Sequence, residues 1–106
     1  MYEEELMSVL SIDQINESLK KINLWKFNDN MISRSFKFSS YMSGINFVHS
    51  LALISEKENH HPDIAVGWCE VNVTFTSHDL GGVTEKCIKM AELTSKLFDE
   101  KNKDEI

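Results

Sequence analysis

The stretch from Trp68 to Ser77 constrains the fold most, because its side chains alternate between apolar and polar at successive positions. This period of two is typical of a β-strand with one buried face and one face in water. A sheet built on such a strand needs other elements to cover its apolar side. The apolar parity consists of Cys69, Val71, Val73 and Phe75, and the polar parity of Glu70, Asn72, Thr74 and Thr76.

Helical spacing of apolar residues predicts one helix near each end of the chain. Apolar residues between positions 12 and 22 recur every three or four places, and either Ser11 or Asp13 can cap this first helix, which should end near residue 23. The last helix follows a glycine pair and has Thr84 as its N-cap. Both helices can cover the sheet.

A third helix is expected in the middle of the chain, from Tyr41 to about Asn59, and it carries two apolar stripes. We expect one stripe, which includes Leu51, to pack inside the domain. The second stripe, around Phe47 and Ile54, is expected to contact another molecule. That molecule can be a second copy of the chain or a different protein.

Three further segments are predicted to form strands. Segments 24–27 and 31–39 flank Asn28-Asp29-Asn30, residue types that tolerate the positive φ values of a hairpin turn, and a short strand covers residues 64–66. Arg34 interrupts the apolar row of its strand, which suggests a place near a sheet edge. The order helix, two strands, helix, two strands, helix predicts an α+β fold, a two-layer sandwich with a mostly antiparallel sheet.

Composition narrows the class of protein. A chain of 106 residues with 42% hydrophobic content fits a single domain over residues 1–106, with residues 1–10 and 100–106 as frayed polar ends. The net charge of −6 disfavours nucleic acid and anionic membranes as partners. No stretch is apolar enough to cross a membrane, and Cys69 and Cys87 lack CxxC spacing, so we expect a cytoplasmic protein with free thiols.

Three of the four histidines are candidates for acid-base chemistry, since imidazole titrates near neutral pH. His60 and His61 form a doublet before Pro62, and His78 follows the alternating strand. The proline should push His61 out of the helix, whereas His60 should remain in the last helical turn and point elsewhere. Adjacent histidines rarely converge on one ion, so the pattern does not favour a metal site.

Neighbouring residues offer binding groups, each with a structural alternative. Glu56 lies one helical turn before His60 and can orient that ring, or it can be an exposed helical glutamate. Asn59 can bind a ligand through its amide or cap the helix. Trp68 can stack on a flat ligand or pack against the protein.

The string from Glu56 to Pro62, followed after five residues by Trp68 and after nine more by His78, resembles the signature of pterin-4a-carbinolamine dehydratases. The similarity covers about residues 12–98. It implies a four-stranded antiparallel sheet with three helices on one face, assembly as a homodimer or homotetramer, and no metal or organic cofactor. Related proteins also serve as dimerisation cofactors of a homeodomain transcription factor, so a non-catalytic binding module is the alternative.

The family's reaction removes water from a 4a-hydroxytetrahydropterin to give the quinonoid dihydropterin, a step of tetrahydrobiopterin recycling. By resemblance, His60, His61 and His78 correspond to the catalytic histidines. The substrate-binding positions expected with them are Glu56, Asn59, Pro62, Trp68, Thr76 and Ser77.

Two positions depart from the family's usual pattern. Asn59 stands where relatives usually carry aspartate, and an amide cannot take up a proton at neutral pH. Cys87 replaces an aspartate three residues after Thr84, at the third position of the last helix. An acid there would cap the helix, so we interpret the lost aspartate as structural and expect Glu85 to compensate in part.

Overall fold

The computed structural model describes residues 8–102, and its elements follow the predicted order. They are α1 (Ile12–Leu19), β1 (Lys26–Asn28), β2 (Met31–Lys37), α2 (Tyr41–Glu58), β3 (Asp63–Val66), β4 (Glu70–Phe75) and α3 (Glu85–Asn102). The four strands form one antiparallel sheet in the order β1-β2-β4-β3. The predicted α+β class, with three helices and a four-stranded antiparallel sheet, is confirmed.

The alternating segment forms the inner strand β4, with its apolar parity in the core. Val71, Val73 and Phe75 are completely buried, whereas Asn72 is exposed. The strand is shorter than the alternation, because the Gly67 N–H donates to the carbonyl of Glu70 at 2.7 Å and residues 67–69 form a turn. The apolar face of β4 therefore fixes which side of the sheet the helices cover.

Helix α1 begins with Ser11 rather than Asp13 as its cap. The Ser11 hydroxyl accepts the Gln14 N–H at 3.2 Å, and the Gln14 side chain accepts the Ser11 N–H at 2.8 Å, which is a complete capping box. The helix ends at Leu19, earlier than expected, because tighter i→i−3 hydrogen bonds follow it. Ile22 still reaches the core.

The hairpin between β1 and β2 turns at the predicted residues. Asp29 and Asn30 have φ values of 52° and 63°, as a two-residue hairpin turn requires. The register pairs Asn28 with Met31 across the turn.

Arg34 lies on the core side of β2, which is an inner strand, so the expectation of a position near a sheet edge is wrong. Its guanidinium lies 4.3 Å from the Phe36 ring centroid and 5.3 Å from that of Phe98, and it donates to Ser95 Oγ at 3.0 Å. Burial lowers the pKa of Arg34, while the charge of Asp99 acts in the opposite direction. Aromatic faces and one hydroxyl thus replace part of the lost hydration.

The apolar residues that helix α2 buries differ in part from those predicted. Phe47 is fully buried beside Leu51, with its ring centroid 5.0 Å from that of Phe36, and Ile54 is partly buried against the same core. The prediction that Phe47 faces a partner is therefore wrong, because residues 47 and 51 share one face of the helix. The exposed apolar side chains of α2 include Leu53.

The described N-terminal residues are tied to the start of α3. The Leu10 N–H donates to the Val83 carbonyl at 2.8 Å, and Val9 forms an isolated bridge with Thr84. A Cβ at Gly82 would lie 2.7 Å from Val9 Cγ1, so the Val9 side chain would have to shift if residue 82 were not glycine. The expected frayed ends fall largely on residues 1–7 and 103–106, outside the described residues. Within residues 8–102, no helix has the length and apolar character needed to cross a membrane.

Candidate active site

Asn59 ends α2 and sets the course of the histidine doublet. It adopts the left-handed conformation, with φ 52° and ψ 44°, and the His60 N–H then donates to the Ser55 carbonyl at 3.1 Å. Asparagine is one of the few residues that enter this region readily. Because the helix stops at Glu58, the expectation that His60 belongs to the last helical turn is wrong, and both histidines lie beyond the helix.

The His60 ring turns towards the core. It stacks on Phe75 with a centroid distance of 6.0 Å and an interplanar angle of 16°, and its Nε2 lies 3.3 Å from Cys87 Sγ. The expected neighbour Glu56 does not bond this ring. His60 therefore has a wall from β4 and a polar partner from α3.

The His61 ring bonds Glu56 instead, through Nε2 and the carboxylate Oε2. The left-handed turn at Asn59 reverses the direction of the chain, so the His61 side chain lies against the last turn of α2. Both side chains of this pair are exposed. A carboxylate in this place orients the ring.

His78 lies close to the segment that follows the histidine doublet, because it contacts Asp63. Its Nε2 lies 3.5 Å from Asp63 Oδ2, and both side chains are exposed. Asp63 is the first residue of β3 and pairs with Thr74 of β4. Sequence reasoning missed Asp63, although Pro62 signalled that an extended segment starts there.

The turn that carries His78 is closed by its own backbone. The Ser77 carbonyl accepts the N–H groups of Leu80 and Gly81, and the Ser77 N–H donates to the Gly82 carbonyl at 2.9 Å. Gly81 has a φ of 72°, which glycine adopts without steric cost, so the glycine pair serves a tight turn. The buried Thr76 hydroxyl donates to carbonyls, at 2.9 Å to Asn30 and 3.3 Å to Gly82, and so supports the turn.

Cys87 is the second group that sequence reasoning underrated. Its buried Sγ lies 3.5 Å from Ser77 Oγ, 3.5 Å from Thr84 Oγ1 and 3.3 Å from His60 Nε2. Burial raises the pKa of the Cys87 thiol, but hydrogen bonds with His60, Thr84 and Ser77 outweigh it, so the pKa lies below its ordinary value. The position is near the helix start, as expected, and it also contacts a candidate catalytic ring.

Two links therefore place the doublet beside the turn that carries the third histidine. One link runs from His78 to Asp63, two residues after His61. The other runs from His60 through Cys87 to Ser77, which precedes His78. Between residues 8 and 102, no three histidine, cysteine, aspartate or glutamate side chains come together in a way that could hold a metal ion.

Trp68 lies at the other end of β4 from this cluster. It is 81% exposed in the turn between β3 and β4, and the six residues of β4 span about 20 Å. Within one protomer it is therefore separated from His78. Pro62 is half-buried directly after the doublet, and its preceding peptide bond is trans.

Comparison with known proteins identifies the family of this chain. The family model described as pterin 4 alpha carbinolamine dehydratase matches residues 8–97, which is most of the chain. The chain belongs to this dehydratase family. Two similar members are provisionally named pterin-4-alpha-carbinolamine dehydratase. The first, from Mycobacterium sp. (strain JLS), is 36% identical over 88% of this chain and 99% of its own length. The other, from Mycolicibacterium vanbaalenii, is 38% identical over 80% of this chain and 91% of its own length.

Solved structures of other family-like proteins share the fold. A transcriptional coactivator/pterin dehydratase from Brucella melitensis superposes with a TM-score of 0.81 at 35% identity, over 85% of this chain and 98% of that one. A pterin dehydratase-like protein, identified as a RuBisCO assembly factor in the alpha-carboxysome, superposes with a TM-score of 0.58 at 29% identity. That match covers 70% of this chain and 86% of the other.

Proposed function

We propose that the protein is a pterin-4a-carbinolamine dehydratase, which converts a 4a-hydroxytetrahydropterin to the quinonoid dihydropterin and water by histidine acid-base catalysis. The observation that carries the proposal is the double link that joins the doublet to the turn of His78. Membership of the dehydratase family supports it. The proposal includes a role in tetrahydrobiopterin recycling, a cytoplasmic location and assembly into a homodimer or homotetramer.

The chemistry asks for an acid that protonates the departing 4a-hydroxyl and a base that takes a proton from a ring nitrogen of the pterin. Each proton transfer by a positioned side chain contributes about 100- to 10,000-fold in rate. The carboxylate of Glu56 can only accept hydrogen bonds when ionised, so His61 carries a proton on Nε2 when it bonds Glu56. The Nδ1 atom of His61 is then the ring nitrogen left for the substrate. Asp63 lies 3.5 Å from His78 Nε2 as a charge partner.

Turnover of a synthetic 4a-hydroxytetrahydropterin tests the proposal. We expect the wild-type protein to accelerate dehydration and a His60→Ala, His78→Ala double variant to lose that acceleration. His49→Ala is the matched control, because His49 is exposed in the middle of α2. Equal rates for the wild-type protein and the double variant would refute the dehydratase.

A second candidate is a binding module that uses the same fold without catalysis. Solved relatives described as a transcriptional coactivator/pterin dehydratase and as a RuBisCO assembly factor favour it. On this chain the surface would include Met42 and Leu53 of α2, which are 58% and 60% exposed, in place of the buried Phe47. Sedimentation separates the cases: a stable homotetramer favours burial between copies, whereas a monomer without dehydratase activity favours an outside partner.

A further inference from the structure

His60 differs from the other two candidate histidines in the chemistry of its partner. His61 and His78 face the carboxylates of Glu56 and Asp63, which accept hydrogen bonds. His60 faces the thiol of Cys87 at 3.3 Å, and a thiol can donate its proton. The direction of the hydrogen bond at His60 is therefore open in a way that it is not at His61, whose partner is a carboxylate.

The other contacts of Cys87 favour one direction. The hydroxyls of Ser77 and Thr84 each lie 3.5 Å from Sγ, and they lie 3.0 Å from one another. Either atom of each hydroxyl–sulfur pair could be the donor, and we infer that the hydroxyl donates, since a thiol is the weaker donor. With the sulfur accepting from that side, the single thiol proton is directed to the remaining neighbour, His60 Nε2.

Packing holds the His60 ring in this orientation. Cys87 is fully buried in the first turn of α3, and Phe75 stacks on the face of the ring. Turning the ring over would replace the nitrogen at Sγ with a carbon and leave the buried thiol without its acceptor. Loss of a partner by a buried polar group is unfavourable, so one ring orientation is strongly preferred.

We propose that Cys87 is a positioning residue for His60, whose neutral ring it holds as the tautomer with the proton on Nδ1. His60 then presents an N–H donor to an oxygen of the pterin substrate. His61, which carries its proton on Nε2 in its bond with Glu56, has the opposite tautomer. The assignment of a substrate rests on the proposed dehydratase function, whereas the tautomer does not.

The tautomer can be measured directly by ¹⁵N NMR of the imidazole rings in the full-length protein without substrate, at a pH where His60 is neutral. We expect the proton on Nδ1 in the wild-type protein and in Cys87→Ser, because a hydroxyl can also donate to Nε2. Cys87→Asp should move the proton to Nε2, because its carboxylate only accepts, and Cys87→Ala should give a mixture. Cys69→Ser is the matched control, since Cys69 lies in the turn before β4.

A wild-type His60 ring with its proton on Nε2 would overturn the inference, as would an unchanged tautomer in Cys87→Asp. The wild-type spectrum alone is decisive if a variant does not fold. In the dehydratase assay we expect kcat/KM to fall about tenfold in Cys87→Ala, because a tenfold change corresponds to the loss of about one hydrogen bond. We expect kcat/KM to recover in Cys87→Ser. Absence of turnover with the expected tautomers would refute the dehydratase only, whereas turnover with unaffected tautomers would refute the role of Cys87 only.

Discussion

His60 and His61 are consecutive residues of the same type, yet the protein holds them in two different environments. His60 lies on Phe75 and contacts a buried thiol, whereas His61 lies at the surface and bonds Glu56. The backbone reversal at Asn59 separates them. The difference teaches that a doublet can supply one ring fixed by the hydrophobic core and one ring fixed only by a solvated carboxylate.

The two rings should therefore respond differently to mutation. Changes to the surroundings of His60 alter core packing and carry a large cost in stability. Changes to the partner of His61 act on an exposed pair, and such pairs contribute little to the free energy of unfolding.

The largest effect is expected from Phe75→Ala, which removes the wall beneath His60. Phe75 is completely buried and its ring centroid lies 5.8 Å from that of Trp25, so the change leaves a cavity. We expect the free energy of unfolding to fall by about 3–5 kcal/mol, measured by urea denaturation. Phe75→Leu refills part of the volume and should lose less. Equal losses in the two variants would contradict a packing role for the ring.

The turn between the rings can be tested with Asn59→Val. Valine pays a steric cost in the left-handed region, so we expect the free energy of unfolding to fall by about 1–2 kcal/mol. Asn59→Gly, which adopts the same φ without that cost, should stay near the wild-type value. If valine were tolerated as well as glycine, the left-handed turn would not be what separates the two histidines.

Glu56→Gln removes the charge next to His61 and should have a small effect on stability. The pair is exposed on both sides, so we expect a change of less than about 1 kcal/mol in the free energy of unfolding, and less still in high salt. Thermal or urea unfolding at two salt concentrations measures it. A loss approaching that of Phe75→Ala would show that the surface ring is as integral to the fold as the inner one.

We expect the smallest effect from the titration of Glu58, whose carboxylate forms ion pairs between the end of α2 and α3. A hydrogen bond from Lys89, at 3.2 Å, and the charges of Lys89, Lys86 and Lys57 lower its pKa, with desolvation opposing them. A carboxyl whose folded pKa lies below its unfolded value stabilises the protein above the unfolded value and loses this effect as pH falls through the folded one. Between about pH 5 and pH 3, unfolding free energy should therefore decline more steeply in the wild-type protein than in Glu58→Gln.

Glu92→Gln is the control for that titration, because Glu92 is an exposed residue of α3. Urea unfolding at each pH is the measurement. Parallel curves for the wild-type protein and Glu58→Gln would contradict a stabilising ion pair between the two helices.

Much of the fold was predictable because single strands and turns carry their own patterns. The alternation that ends at Phe75 identified the buried face of β4, and residue types that tolerate positive φ located the hairpin. Phe47 was misplaced because α2 has apolar residues on several faces, and only the packing of the sheet decides which face is buried. Arg34 was misplaced because a cation on a strand does not reveal the aromatic rings that accept it.

For the candidate site, the residue types were predictable and their pairing was not. The doublet and His78 stood out in the sequence, and the structure links their segments. Glu56 was assigned to His60 because a continuous helix puts residues four apart on one face. One left-handed residue shifted that contact to His61, and an asparagine before a proline-ended doublet serves equally well as a cap or as a ligand.

Ser95 gives the last helix a role far from the histidines. Its hydroxyl oxygen receives the Trp25 indole N–H at 2.8 Å and the Arg34 guanidinium at 3.0 Å. A chain shortened to stop before Ser95 would leave an indole and a cation beneath the sheet without this shared acceptor. The C-terminal half of α3 thus supplies the shared acceptor for a buried indole and a half-buried guanidinium, and shortened versions of the protein should keep it.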